Sequence, residues 1–221
     1  MNDRILYLLI FYPILLFSLS CHEAAHAWMS NRFGDPTARH LGRVTLNPLP
    51  HLDLIGTVIL PIFGILSGAS LIGWGKPVPV NPLNLKNPRK DEVWIAAGGP
   101  ITNILAALVF AGIGRAVYQA SGSLAVSQSS AAFWGQVMSI IYTACYLGVR
   151  LNLGLAVFNL IPLYQLDGGG VLRGFLPDRL VDKFDQFSRH SVILLLVLFA
   201  TGALRFIFIP VQIVANILLP L

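Results

Sequence analysis

The sequence predicts an α-helical polytopic membrane protein, a class indicated by its composition and by its long apolar segments. Of its 221 residues, 55% are hydrophobic and only 11% are charged, and the mean hydropathy is +0.71. Soluble domains carry about 25% charged residues, so most of this chain must face lipid or other parts of the protein. Several apolar runs also reach the ~20 residues that a helix needs to cross a bilayer.

Four long apolar segments account for the predicted membrane helices. The first ends at the helix-stopping sequence GDP (34–36), and the third ends shortly before the sequence LDGGG (166–170). The second is an unbroken apolar segment, whereas the fourth is a final span after a charged amphipathic stretch. The four predicted helices lie at about 5–33, 93–119, 132–163 and 190–209.

The segments between these helices are short and contain no sign of a second domain. Residues 42–48 and 76–81 combine extended sequence with turn residues and prolines, and are predicted to be short membrane-associated β-strands. The final eleven residues are too short to cross a bilayer alone. The sequence therefore predicts a single membrane-embedded domain over residues 1–221.

The basic residues follow the pattern of a membrane protein and not that of a nucleic-acid-binding protein. The net charge is +5, with three Lys/Arg in 31–51, four in 75–91 and four in 164–190, but none in 119–133. Lys and Arg confined to alternate connections are what the positive-inside rule produces. We therefore expect these basic connections on the cytoplasmic side, against the lipid bilayer, and no nucleic-acid partner.

A metal-binding pattern lies near the end of the first predicted helix. The sequence Cys21-His22-Glu23-Ala24-Ala25-His26 contains H-E-x-x-H. Residues i and i+4 share one face of a helix, so both imidazoles can bind one Zn²⁺, and Glu23 is placed to take a proton from a water that the metal activates. Ionisable residues inside a membrane helix are costly and usually functional.

A catalytic zinc usually has three protein ligands, so a third must come from elsewhere in the chain. The acidic residues in charged contexts, including Asp35 and Asp91, are set aside as solvated. Asp167 follows an apolar helix beside Pro162 and three glycines, and irregular backbone at membrane depth is tolerated where it lines a cavity. Asp167 is the best candidate, with His51 or Asp53 next.

Three ordered motifs resemble the site-2 protease family of intramembrane zinc metalloproteases, in its compact prokaryotic form without PDZ or CBS domains. They are CHEAAHAW (21–28), GGPITN (98–103) and NLIPLYQLDGG (159–169). The resemblance implies that His22, His26 and Asp167 bind one zinc ion and that Glu23 is the general base. It also implies that Asn159 and Asn103 lie near the catalytic centre, although an interhelical hydrogen bond is the competing role for each.

The shared metal also constrains the topology of the chain. If His22, His26 and Asp167 meet at one depth, an even number of membrane crossings must separate the histidines from Asp167. The helices predicted at 93–119 and 132–163 already supply two crossings. Residues 52–74, rich in glycine and containing Pro61, are therefore predicted to enter the membrane and return on the same side. The two predicted strands would then lie beside the active site.

The predicted activity is hydrolysis of peptide bonds in or beside transmembrane helices, so the expected partner is a transmembrane protein or peptide substrate. The resemblance implies regulated intramembrane proteolysis in a prokaryotic cell membrane, with the active site toward the cytoplasm. A membrane protease with a glutamate as third ligand is disfavoured, because no glutamate follows Glu92. A non-enzymatic zinc carrier or scaffold is the remaining alternative. The sequence leaves the oligomeric state open.

Overall fold

The computed structural model describes residues 3–68, 73–123 and 128–219, and within these ranges the chain is built from helices, turns and extended connections. A π-helical turn, Leu54–Ile59, leads into α3, and 3-10 turns lie at Leu49–His51 and Pro82–Asn84. The helices are α1 Asp3–Phe33, α2 Thr37–His40, α3 Leu60–Ser67, α4 Pro88–Ser123, α5 Gln128–Asn159, α6 Asp167–Phe175, α7 Asp178–Ser188, α8 Ser191–Ala200, α9 Leu204–Ile207 and α10 Ile209–Leu218.

Three of these helices, α1, α4 and α5, are long and apolar enough to cross a membrane. The first three predicted spans are therefore confirmed, although α4 begins five residues earlier than predicted and α5 ends at Asn159 instead of 163. Large apolar side chains on these helices are exposed, including Leu9, Leu108 and Ile140. A soluble monomer rarely exposes so much apolar surface, whereas a lipid-facing helix does.

The fourth predicted span, 190–209, is wrong as a single helix. The helix α8 ends at Ala200, and the chain bends by 90° before continuing as residues 204–218. Gly202 lies in this bend with a φ of +71°, a conformation that glycine adopts without steric cost. If the two bent pieces count as one span, the chain has up to four spans.

The helix α4 lies at the centre of the bundle and contacts α1, α5 and α6. His22 of α1 is bonded to Asn103 of α4, and His26 is bonded to the Ile95 carbonyl, so the two helices are antiparallel. The helices α4 and α5 are antiparallel as well. The C-terminal ends of α1 and α5 and the N-terminal end of α4 therefore lie at one end of the bundle.

Small residues permit the close approach of α4 to α5. A Cβ on Gly148 would lie 2.6 Å from the Phe110 ring, and one on Gly114 would lie 3.1 Å from the Cβ of Cys145. These contacts border the apolar core that Cys145 and Val149 form with Ala215 and Leu219 of the C-terminal region. The packing fixes the register of α5 against α4, on which the polar contacts described below depend.

The connection between α1 and α4 begins and ends at the same end of the bundle, and the segment 52–74 lies within it. The Lys76 amide donates to the His51 carbonyl at 2.8 Å, so the two ends of the segment are adjacent. Residues 54–67 run along α1 as far as its first turn, where Arg4 donates to the Leu66 carbonyl at 2.7 Å, and residues 69–72 lie outside the described part of the chain. Entry of this segment into the bilayer stays a prediction.

The prediction of strands at 42–48 and 76–81 is wrong, since neither range is a strand and the described residues contain none. The two pieces do lie side by side, but a side chain joins them: Arg43 donates to the carbonyls of Lys76 and Pro77. Pro77 and Pro79 have no amide hydrogen to donate to a ladder, which accounts for the absence of strand pairing.

Asp35 was set aside as solvated on the basis of its sequence context, and this prediction is also wrong. It is 0% exposed and accepts hydrogen bonds from Thr37, the Asn81 amide nitrogen and the Asn84 side chain. Burial alone would raise the pKa of Asp35, but these hydrogen bonds outweigh burial and lower it. Asp35 thereby ties residues 81–84 to the end of α1. Asp91 is likewise buried and accepts from the Asn87 amide.

Candidate metal centre

The helix α1 brings two imidazoles together at the point where the sequence predicts a metal site. His22 and His26 are one turn apart, both are buried, and their Nε2 atoms lie 3.0 Å from each other. Asp167 completes the group, with Oδ2 at 3.2 Å from Nε2 of His22 and Oδ1 at 3.3 Å from Nε2 of His26. These three residues are the group of metal-binding side chains that the described part of the chain brings together.

The outer nitrogen of each imidazole is held by a hydrogen bond to α4. Nδ1 of His26 lies 2.7 Å from the carbonyl oxygen of Ile95, and Nδ1 of His22 lies 2.6 Å from Oδ1 of Asn103. Both partners are acceptors, so both Nδ1 atoms carry the hydrogen and both Nε2 atoms present lone pairs. Two lone pairs and a carboxylate therefore face one another, an arrangement that a cation stabilises.

The orientation of Asn103 is itself determined by a buried network. Its amide nitrogen donates to Oδ1 of Asn152 on α5 at 2.9 Å, which leaves Oδ1 of Asn103 to accept from His22. The Asn152 amide in turn donates to the Ser18 hydroxyl of α1 at 2.8 Å. All three side chains are buried, so α1, α4 and α5 together set the rotation of the His22 ring.

Asp167 lies at the beginning of α6, eight residues beyond the end of α5. The intervening backbone is irregular and packs directly on the first turn of α6, where a Cβ on Gly168 would lie 2.3 Å from the Leu160 carbonyl oxygen. One on Gly169 would lie 2.3 Å from the Leu163 carbonyl oxygen. Glycine is required at both positions, because this close approach directs Asp167 toward the histidines.

Gly99 of α4 lies directly against the imidazoles of His22 and His26. A Cβ on Gly99 would lie 2.4 Å from Cε1 of His22 and 2.5 Å from Nε2 of His26. Tetrahedral zinc ligands at about 2.0–2.2 Å from the ion lie roughly 3.3 Å from one another. The ligand separations of 3.0, 3.2 and 3.3 Å match this spacing.

In addition, Oδ2 of Asp167 is buried with no hydrogen-bond partner among the described residues. The site therefore fits a zinc ion.

Glu23 lies between the two histidines in sequence and is 8% exposed. Its side chain packs against the backbone of Gly75, where a Cβ would lie 3.0 Å from Oε1 and 3.2 Å from Cγ of Glu23. Gly75 belongs to the extended segment that follows 52–74. A carboxylate so placed beside the ligand group can accept a proton from a water bound there.

Sequence comparison places the chain in a known family. The family model of Peptidase family M50 matches residues 10–200. The chain belongs to this family. The resemblance to site-2 proteases inferred from the three motifs is thereby confirmed.

Curated M50 relatives are similar over most of the chain. The Bacillus subtilis (strain 168) protein YwhC, described as a "Putative zinc metalloprotease", is 34% identical over 208 residues, which cover 90% of this chain and 86% of YwhC. The protein Rip2 of Mycolicibacterium smegmatis has the same description and is 28% identical over 190 residues, 86% of this chain and 66% of Rip2. No solved structure matches the chain.

The two asparagines that the M50 resemblance singled out differ in their surroundings. Asn103 lies 2.6 Å from a predicted ligand, His22, and is fully buried. Asn159 lies in the last turn of α5, where its amide donates to the Leu155 carbonyl of its own helix at 3.0 Å. Asn103 is thus placed to orient a ligand, whereas a role for Asn159 at the centre stays a prediction.

His51 and Asp53, the alternative ligands, lie apart from the metal-binding group. Oδ1 of Asp53 accepts from the amides of Ile55 and Gly56, so Asp53 caps the π-helical turn. His51 lies 2.9 Å from the Thr45 carbonyl through Nε2, which fixes its place beside residues 45–51. Among the described residues, neither side chain belongs to a metal-binding group.

Asn152 and Gly99 were missed by the sequence analysis. The signal for Asn152 was an amide within an otherwise apolar span, since such residues commonly bond across helices. Arg150, an ionisable residue of the same span, lies over the Tyr146 ring at 5.6 Å and lines a cavity of about 690 Å³ between α1, α3, α5 and α10. That cavity is separate from the metal centre.

Gly99→Ala should impair zinc binding, because the added methyl group occupies the space in front of both imidazoles. Zinc affinity is expected to fall by about 10- to 100-fold, the loss typical of changes to the residues that orient metal ligands. Gly112→Ala is the matched control, since a Cβ on this glycine of the same helix meets nothing within 4 Å. Competition with a zinc chelator measures both affinities. Equal affinity in the two variants would contradict the proposal that His22 and His26 bind the ion in this arrangement.

Proposed function

We propose that this chain is a zinc-dependent intramembrane endopeptidase that hydrolyses peptide bonds in or beside transmembrane helices. The observation that carries the proposal is the convergence of His22, His26 and Asp167, with Glu23 beside them, in a bundle of helices that are apolar enough to cross a membrane. Membership of Peptidase family M50 and the description of its relatives as zinc metalloproteases support it.

His22, His26 and Asp167 would hold one zinc ion, with Asn103 and the Ile95 carbonyl keeping the two imidazoles in place. Zinc, when bound, supplies a Lewis acid that polarises the scissile carbonyl and lowers the pKa of water to around 7. Glu23 accepts the proton of the attacking water as the new C–O bond forms. It later delivers that proton to the leaving amine nitrogen as the C–N bond breaks.

The substrate class follows from the location of this site within apolar helices. A transmembrane α-helix hides its amide groups in hydrogen bonds, so the substrate must unwind locally before its carbonyl can be attacked. Substrates of this kind suit regulated intramembrane proteolysis, such as cleavage of membrane-bound anti-sigma factors or remnant signal peptides. The proposed location is a prokaryotic cell membrane, with the site toward the cytoplasmic side, where the basic connections would lie.

The topology proposal is that residues 52–74 enter the bilayer and return, so that both flanking connections lie on the cytoplasmic side. Single cysteines at the exposed positions Leu46 and Leu83, in a chain lacking Cys21 and Cys145, should react with an impermeant reagent from the same side. A cysteine at Tyr118, near the other end of α4, should react from the opposite side. Labelling of positions 46 and 83 from opposite sides would overturn the proposal.

The alternative is a zinc carrier or scaffold, in which the same histidines bind the ion without catalysis. A carrier would repeat ionisable side chains along several spans, whereas here the histidines and Asp167 meet at one point. The two functions differ in the role they give Glu23. A peptidase requires its carboxylate, while a carrier requires only the ligands.

Glu23→Gln should abolish cleavage while leaving zinc bound, because the amide has nearly the same shape but cannot accept the proton. A loss of about 10²- to 10⁴-fold in kcat is expected for a general base. The measurement is cleavage of transmembrane peptides in detergent, followed by mass spectrometry, alongside zinc content. Wild-type rates in the variant would remove Glu23 from the mechanism. A zinc-loaded wild type that cuts no member of a peptide panel would favour the carrier.

A further inference from the structure

We infer that Arg43 is a positioning residue that holds residues 74–77 against the Glu23 side chain and thereby sets the place of the general base. This inference rests on the proposed peptidase function, because it assigns Arg43 a role in the same reaction. Arg43 lies in the connection after α2 and contributes no ligand to the metal-binding group.

Arg43 is an unusual arginine for a polar connection, since it is only 4% exposed. Its Nη2 donates to two consecutive carbonyls, those of Lys76 at 2.6 Å and Pro77 at 2.7 Å. One nitrogen of Arg43 therefore binds the backbone of residues 76 and 77, which are more than 30 residues away in the sequence. Its Nη1 is buried without a hydrogen-bond partner among the described residues. The other guanidinium nitrogen therefore carries the tertiary hydrogen bonds of this buried side chain.

The same segment is also held by residues within the π-helical turn and just before it. The Trp74 amide donates to the Gly56 carbonyl at 3.1 Å, and the Trp74 carbonyl accepts from the Thr57 hydroxyl at 2.8 Å. The Lys76 amide donates to the His51 carbonyl at 2.8 Å. Together with Arg43, these bonds fix the backbone immediately before and after Gly75.

Gly75 is the residue that transmits this restraint to Glu23. Its backbone lies so close that a Cβ there would be 3.0 Å from Oε1 of the carboxylate. No hydrogen bond to the Glu23 carboxylate is formed by the described residues, so packing contacts such as that with Gly75 hold this side chain. A shift of residues 74–77 would release the carboxylate from its place beside the ligands.

Charge supports the same arrangement. Burial lowers the pKa of Arg43, and the nearby Glu23 carboxylate acts in the opposite direction, which places the guanidinium within electrostatic reach of the base.

The test compares Arg43→Met, which keeps the apolar stem but removes the donors, with Arg43→Lys, which keeps the charge. We expect kcat to fall at least about tenfold in Arg43→Met, since small misplacements of catalytic groups can cost ~10²-fold. KM and zinc content should change little, and Arg43→Lys should recover part of kcat. Arg39→Met, the same change at an exposed arginine of α2, should keep wild-type kcat.

Thr57→Val provides a second variant that does not depend on Arg43→Met folding. It removes the hydroxyl that donates to the Trp74 carbonyl, and it should also lower kcat with zinc retained. Wild-type kcat in zinc-loaded Arg43→Met, or in Thr57→Val if Arg43→Met does not fold, would overturn the inference. Failure of the wild type itself to cleave any substrate would instead overturn the proposed function, so the two failures are distinguishable.

Discussion

The structure depends on one electrostatic constraint, the convergence of two imidazole lone pairs and a carboxylate at a single buried point. Nε2 of His22 and Nε2 of His26 lie 3.0 Å apart and face Asp167, in a bundle whose outer surface is apolar. Burial of such groups without a compensating charge is costly, and a cation removes that cost. The helices must hold the three side chains in this arrangement in order to bind the ion.

The helix α4 provides most of the contacts that position these side chains, and several of them come from one short part of its sequence. Between Ile95 and Asn103 it supplies the acceptors for both imidazoles, and Gly99, which has no side chain, leaves room for the two rings. On another face, α4 receives Gly170 and Gly174 of α6, which lets the helix that carries Asp167 approach closely. The ligands thus come from α1 and α6, but α4 determines their positions.

The parts of this site that the sequence predicts are those governed by local geometry. The spacing of His22 and His26 is sufficient to place both imidazoles on one face of a helix, whatever the rest of the fold. Asp167 could be singled out because few acidic residues exist and its surroundings break a helix. Membership of Peptidase family M50 confirms the family that the motifs around these residues indicate.

The features that were missed depend on contacts between distant parts of the chain. Asp35 looks solvated in its own sequence context, but it is buried and accepts hydrogen bonds from Asn81 and Asn84, which are distant in the sequence. The predicted strands failed for a similar reason, because Arg43 joins the two pieces through its side chain instead of a backbone ladder. Such pairings are set by tertiary structure and leave no local pattern to read.

The most direct test of the central claim is the zinc content of purified wild type, His22→Ala and Asp167→Ala, with Asp182→Ala as a control at an exposed aspartate. Wild type and the control should each retain one zinc ion per chain, and both ligand variants should lose most of it. Full stoichiometric zinc in Asp167→Ala would contradict the proposed ligand set and, with it, the account of how the bundle is organised.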